Sequence, residues 1–308
     1  MGYESSRMSI PGRVAIAVLV AVASSAAVSP SAWLSAGKSP APGTLSLDRP
    51  AGASVERGVG DSPRQLRVGG DQVRLVYDVY YRILRVASVR TDSTIGPDSY
   101  RTEMTIRTEG LVGTLLPWIL HSESRGDVVE GGGLRPAMHR SESTSRRDVS
   151  RVEMRYRDAG APWVEVDEPR ARRDERDTVP DEFRAGTVDP LTATLAVLQA
   201  VAAGRGCATT QRVFDGRLRY DVRYEDLGTV VLEPSRHSVY VGQARLCRST
   251  LRPIAGFTEA GREDGGSLVT RSWIAAPVPG ASPVPVQLET TGRRGTLLFY
   301  LGRADVAP

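Results

Sequence analysis

Lysine occurs once in this chain of 308 residues, at Lys38; histidine occurs three times, at His121, His139 and His237, and cysteine twice. Each scarcity removes a class of chemistry. With the lone lysine outside any GxxxxGK run, and with no GxGxxG, nucleotide-phosphate loops of the P-loop, kinase and Rossmann types are excluded. The histidines form neither HExxH nor an i, i+4 pair, so a zinc-protease helix is absent. There is no GxSxG elbow of the α/β-hydrolase kind. Aromatic residues make up only 6% of the chain, so the core must be built on Val, Leu and Ala. Beyond the N-terminal segment no run is apolar enough to span a bilayer.

The charge balance is nearly even, 40 basic against 36 acidic residues. The basic residues are arginines interleaved with acids, as in RARRDERD from Arg170 to Asp177. No basic stripe with interleaved aromatics is present, so a nucleic-acid partner is not expected. No metal or cofactor is expected either, because two lone cysteines lack the close-spaced partners that zinc requires.

The N-terminus reads as an address. Arg7 and Arg13 precede an apolar run from Val14 to Val28, followed by small residues and the helix-breaking Ser29-Pro30-Ser31. This is the pattern of a Sec-type signal over residues 1–36, cleaved between Ala26 and Ala36, with an uncleaved N-terminal anchor as the alternative. Residues 37–70, rich in Pro, Gly, Ser and Ala, predict a disordered linker. A periplasmic or secreted location follows, and in an oxidising compartment Cys207 and Cys247 are expected to pair; two buried free thiols are the alternative.

From Val73 onward the pattern is that of strands. Val73, Leu75, Tyr77 and Val79 alternate with polar neighbours, and Tyr100, Thr102, Met104 and Ile106 do the same. The alternation recurs at Val152 to Tyr156, Val164 to Val166, Leu218 to Tyr224, Leu246 to Arg252, Val269 to Ile274, Val284 to Leu288 and Thr296 to Leu301. Leu111 to Leu120, with Pro117 inside, predicts a buried strand end or a loop over a barrel mouth. GGGLRP at Gly131 to Pro136 and Asp215-Gly216 predict turns. The one expected helix covers about 189–203: Asp189 is the N-cap, Pro190 fits N1, Leu191, Leu195, Leu198 and Val201 share a face, and Gly204 fits C′. The expected fold is therefore mainly β: a curved antiparallel sheet or open barrel-like domain over residues 71–303 with one packed helix.

In that order YDVYYRILRVASV from Tyr77, TVDPLTATLAVL, VFDGRLRYDV, the Cys247 strand leading into RPIAGF, the Trp273 strand, PVPVQLET and GTLLFYL resemble an exported bacterial family of unknown function, DUF3108. The resemblance runs from about Tyr77 to about Phe299 and implies a curved antiparallel β domain in the periplasm. It implies no activity and carries over no catalytic residue.

The residues themselves offer little catalysis. His121 precedes Ser122 and Ser124 and is a candidate base for either, and a cryptic hydrolase would need polar groups gathered near His121 or His237. The aromatic residues Tyr77, Trp118, Tyr220, Tyr224, Trp273 and Phe299 are candidates for a concave ligand face. If the helix fills the same concavity, they form an ordinary core. The leading expectation is a non-enzymatic binding or envelope-assembly protein for a lipid or another apolar or amphiphilic ligand; the alternative is a scaffold that docks an envelope protein partner through strand edges or the charged loop.

Overall fold

The computed structural model of the protein describes residues 71–157, 160–169 and 177–307. The expected signal segment and linker, and nearly all of RARRDERD, lie outside the described residues. The described chain forms a thirteen-stranded antiparallel sheet that does not close into a barrel, in the order β7-β6-β5-β4-β3-β2-β1-β13-β12-β11-β10-β9-β8.

The topology is two meanders joined at their ends. The first runs β1 (Asp71–Tyr81), β2 (Leu84–Ile95), β3 (Ser99–Thr108), β4 (Trp118–Val129), β5 (Gly133–Ser145), β6 (Val149–Arg155) and β7 (Trp163–Asp167). The second runs β8 (Thr209–Phe214), β9 (Arg219–Leu232), β10 (Gly242–Ala255), β11 (Val269–Ala275), β12 (Val284–Gly292) and β13 (Gly295–Ala307). Pairing of β1 with β13 puts the first and last strands at the centre of the sheet. Period-2 alternation sets the concave face: Val73, Leu75, Tyr77 and Val79 are buried on β1, and Tyr100, Thr102, Met104 and Ile106 on β3. Bulges at Val76/Tyr77, Val79/Tyr80 and Arg125/Gly126 add local bend and twist.

Curling brings the two ends of the sheet face to face through side chains. The β8–β9 turn is held by the Asp215 carboxylate, which accepts from the backbone N–H of Arg217 and Leu218 at 2.8 and 2.7 Å. Arg217 then reaches across the seam. Its Nε donates to Glu168 at 3.0 Å, and its Nη2 donates to Ser150 Oγ on β6 at 2.5 Å. Below these polar links Phe214 packs with Val152, Met154 and Val179.

Four α-helices are described. The long one predicted from capping is α3 (Pro190–Ala202); the others are α1 (Gly110–Leu115), α2 (Asp181–Arg184) and α4 (Glu259–Gly266). In α3 the Asp189 side chain accepts from Thr192 N–H at 3.0 Å and Pro190 sits in the first turn. Gly204 follows the C-cap with φ of 73°. Two readings of the sequence are corrected. The Leu111 to Leu120 segment is divided and covers no mouth: Leu111 to Leu115 belong to α1, with Leu111 and Leu115 exposed, and after Pro117 only Trp118 to Leu120 form the buried strand end, the start of β4. The second correction is α4, a helix the sequence hides because EAGREDGG carries three glycines and no apolar face. It holds through its Thr258 N-cap, which accepts from Gly261 N–H at 3.1 Å. The turn at 131–132 is present, but Leu134 to Pro136 already belong to β5.

A candidate ligand cavity beneath the long helix

The concave face has two chemistries. Over β1, β2, β12 and β13 it is mainly apolar, whereas the inward positions of β4 to β6 include Ser122, Ser124, His139, Ser141, Ser143 and Ser150, all buried. Helix α3 lies across both halves, and its two ends are fixed differently.

At its N-terminus the helix is tied to the polar half. Asp189 and His139 are wholly buried. The Ser124 hydroxyl donates to Asp189 Oδ1 at 2.6 Å, and Thr192 Oγ1 donates to Oδ2 at 2.6 Å. Since the Ser124 proton is committed to Asp189, His139 Nδ1–H must be the donor in its 2.8 Å contact with Ser124. Tyr100 completes the cluster, 2.7 Å from Thr192 Oγ1. Burial works to raise the Asp189 carboxyl, but the adjacent His139 ring and the hydrogen bonds from Ser124 and Thr192 outweigh it and hold the pKa below the usual carboxylate range. Burial pushes the Tyr100 and Tyr156 phenols well up, so both stay protonated.

A serine, a histidine and an aspartate in contact invite comparison with a hydrolytic triad. The geometry is different. A relay places serine and carboxylate on opposite ring nitrogens, whereas here both lie on the Nδ1 side. The group is also closed to solvent. What it does is cap a helix and fasten it to the sheet. The serine–histidine pairings considered from sequence are not formed: alternation along β4 turns Ser122 and Ser124 inward and His121 outward, where its Nδ1 meets Thr105 Oγ1 at 2.9 Å. His237 lies on the convex side, stacked on Tyr300 with ring centroids 5.4 Å apart.

The C-terminal half of α3 packs to the other side. Val197, Leu198 and Val201 sit with Ile274, Tyr224 and the bonded pair Cys207–Cys247, whose Cα atoms are 6.2 Å apart. The turn entering Cys207 is clamped by Asp226, which accepts from the backbone N–H of Cys207 at 3.0 Å and of Gly228 at 2.9 Å, with Arg245 Nε at 3.2 Å.

Held over β4, β5 and β8 to β11, the helix leaves space above β1, β2, β3 and β12. The inward residues of β2 favour that space: Thr91 and Ser93 stand where larger side chains would fill it. The result is a cavity of about 260 Å³ walled by Val73, Leu75, Leu191, Leu195, Leu198 and Leu288, with Ile95 at the end of β2 and the connecting residues Pro97, Gly132 and Pro283 also lining it. No charged side chain lines it. A smaller space of about 20 Å³ continues under the helix toward Tyr224 and Cys247, sharing Thr194, Leu198, Pro285 and Leu288.

Of the six aromatic candidates, Tyr77 lines the main cavity and Tyr224 the smaller one. The Tyr77 hydroxyl donates to Pro285 O at 2.7 Å, and burial pushes its pKa well up; that of Tyr224 is pushed up to about 12. Trp118 and Phe299 are packed into the same core cluster, with Trp273 half-buried against it. Tyr220 lies apart, edge-to-face with Phe257. The cavity is thus walled mainly by aliphatic residues, which sequence reasoning placed in the core without assigning them a site. Among the described residues no cluster of three or more metal-ligating side chains occurs, and no helix is long and apolar enough to cross a membrane.

The sequence profile of the family described as "Protein of unknown function (DUF3108)" matches residues 76–297. No curated protein matches the chain. Among solved structures the chain is similar to the crystal structure of a beta-barrel-like protein of domain of unknown function DUF1849 from Brucella abortus, at 10% identity and a TM-score of 0.46, covering 77% of this chain and 98% of that one.

Proposed function

The chain belongs to the DUF3108 family, and from that premise we propose that it is an exported, non-enzymatic protein that reversibly holds an apolar or amphiphilic envelope molecule between α3 and the concave sheet. The observation that carries this reading is the cavity: apolar walls, no charged lining residue, and a volume near the lower end of small-molecule sites. The helix roofs the cavity and is held at both ends, by the Asp189 cluster and by packing on the disulfide. Its N-terminus is locked to β4 and β5 by the Asp189 cluster, and the side facing β1 and β2 is the one left unpacked. The signal-like N-terminus and the disulfide are consistent with work outside the cytoplasm.

Native mass spectrometry of the mature protein, gently purified and then extracted with organic solvent, tests this. A bound lipid or isoprenoid released on denaturation supports the reading. A clean apo mass, together with no uptake of added amphiphiles, counts against it. The weight then moves to protein docking, for which the exposed Val231, Val239 and Val241 near the β9–β10 connection offer a surface.

A further inference from the structure

Resting on the ligand-binding reading above, we propose that the cavity selects single-chain amphiphiles with an uncharged, hydrogen-bonding head (hydroxyl, ester or amide) and discriminates against the corresponding carboxylates. The walls hold no arginine, lysine or histidine to pair with an anion. Bringing an unpaired carboxylate into such a site costs far more than bringing in a neutral head that finds one partner.

The polar atoms of the wall narrow the choice further. Tyr77 is committed to Pro285 O, Ser93 and Thr102 bond each other at 2.7 Å, and Thr194 Oγ1 donates to Pro190 O at 3.0 Å. Gln199 differs: its side-chain amide lines the cavity and, like the Thr91 and Ser282 hydroxyls, makes no hydrogen bond to another described residue. It offers one acceptor and two donors, the complement of a hydroxyl, ester or amide. It faces Gly132, where an added Cβ would stand 4.0 Å from Gln199 Oε1, so the turn leaves room beside the amide.

The field at this end also disfavours an anion. Ala202, the last residue of α3, is part of the lining, which places the negative end of the helix dipole there. Carboxylates flank the lining segments: Asp98 follows Pro97, Asp127 precedes Val128, and Glu130 precedes the Gly131-Gly132 turn. Asp127 is paired with Arg135 at 2.9 Å. Arg205 lies in the turn after the helix and does not line the cavity.

The test is calorimetric titration of the mature chain with 1-decanoylglycerol and with decanoate, at a pH where decanoate is fully ionised. The two probes share one alkyl chain, so the difference reports the head alone. The glycerol ester is expected to bind more tightly by about tenfold or more. The gap should close as pH falls through the carboxyl pKa of decanoate itself. Gln199→Leu should remove several-fold of the ester's affinity and leave decanoate unchanged. Equal affinities, or a preference for decanoate, would overturn the selectivity while leaving the cavity a ligand site. If neither probe binds a chain shown to be folded, the ligand-binding reading itself falls, and that result is distinct from the first.

Discussion

Asp189 Oδ1 lies 3.4 Å from His139 Nδ1, and neither side chain is exposed. One carboxylate therefore serves both as N-cap of α3 and as the point where that helix is bound to the sheet. Asp189→Ala removes the cap, worth about 1 kcal/mol. It also strips the Ser124 and Thr192 hydroxyls of their acceptor inside the protein, at about 1–3 kcal/mol per buried group left unpaired. We expect a loss of several kcal/mol in urea unfolding with the disulfide intact. Ser124→Ala should cost less, because it leaves the cap in place.

The same carboxylate gives stability a pH dependence of definite sign. Its folded pKa is depressed, so between the folded value and the unfolded value of about 4 the unfolded state binds more protons. The contribution is complete above about pH 4 and is lost as pH falls through the folded value. Asp189→Asn, which cannot ionise, should therefore be less stable than the native chain at neutral pH, and that deficit should shrink in acid. Urea midpoints of the two chains at neutral and acidic pH give the comparison; a constant deficit would show that Asp189 is not the titrating group.

The Cys207–Cys247 bond closes a loop with a sequence separation of 40. Chain entropy assigns it roughly 4 kcal/mol. Because the bond packs under Val197 and Ile274, losing it also loosens the C-terminal half of α3. Replacing both cysteines by serine should lower the unfolding free energy by about that amount. It should also raise hydrogen exchange in 197–202 more than in 190–194, whose anchorage is the Asp189 cluster. Uniform exchange along the helix would deny the division of labour between its two ends.

Much of this architecture is written locally. The alternation of Val73 to Val79 and of Tyr100 to Ile106 specifies which face is buried, and Asp189-Pro190 with Gly204 brackets α3, because caps and period-2 patterns depend on neighbours in sequence. The pairing of β1 with β13 and the seam at Arg217 are not legible, since they join residues far apart in the chain. The cavity is half legible. Its walls carry ordinary core residues, and only their placement opposite Thr91 and Ser93 leaves space. His139 was equally hidden: nothing local separates it from His121, and the bulge in the β4–β5 ladder helps to set its inward phase.

The seam between the two ends of the sheet rests on a glycine. Gly216 has φ of 92°, and a Cβ there would come within 2.3 Å of Val152 Cγ1. Gly204 has a comparable φ of 73°, with nothing within 4 Å of an added Cβ. Comparing the two alanine variants separates backbone strain from collision. Gly204→Ala should cost about 1 kcal/mol, the usual penalty of left-handed backbone. Gly216→Ala should cost clearly more, and adding Val152→Ala should recover part of the excess. Similar losses for the two single variants would mean that the ends of the sheet part easily.

Thr194 faces the strands from the middle of α3 and lines both the larger and the smaller space. Its hydroxyl is bonded to Pro190 O within the helix, so removing it leaves no distant partner unpaired. Thr194→Phe directs a ring into volume that the native chain leaves open. Filling a real cavity adds buried apolar surface at about 25 cal/mol per Å², so the variant should unfold at the native urea midpoint or above it. It should also lose uptake of 1-decanoylglycerol. If the site were already well packed, the same ring would be forced into its neighbours at a cost of about 1–3 kcal/mol, and the midpoint would fall. Retained stability with lost binding assigns the space to a ligand; lost stability assigns it to the core.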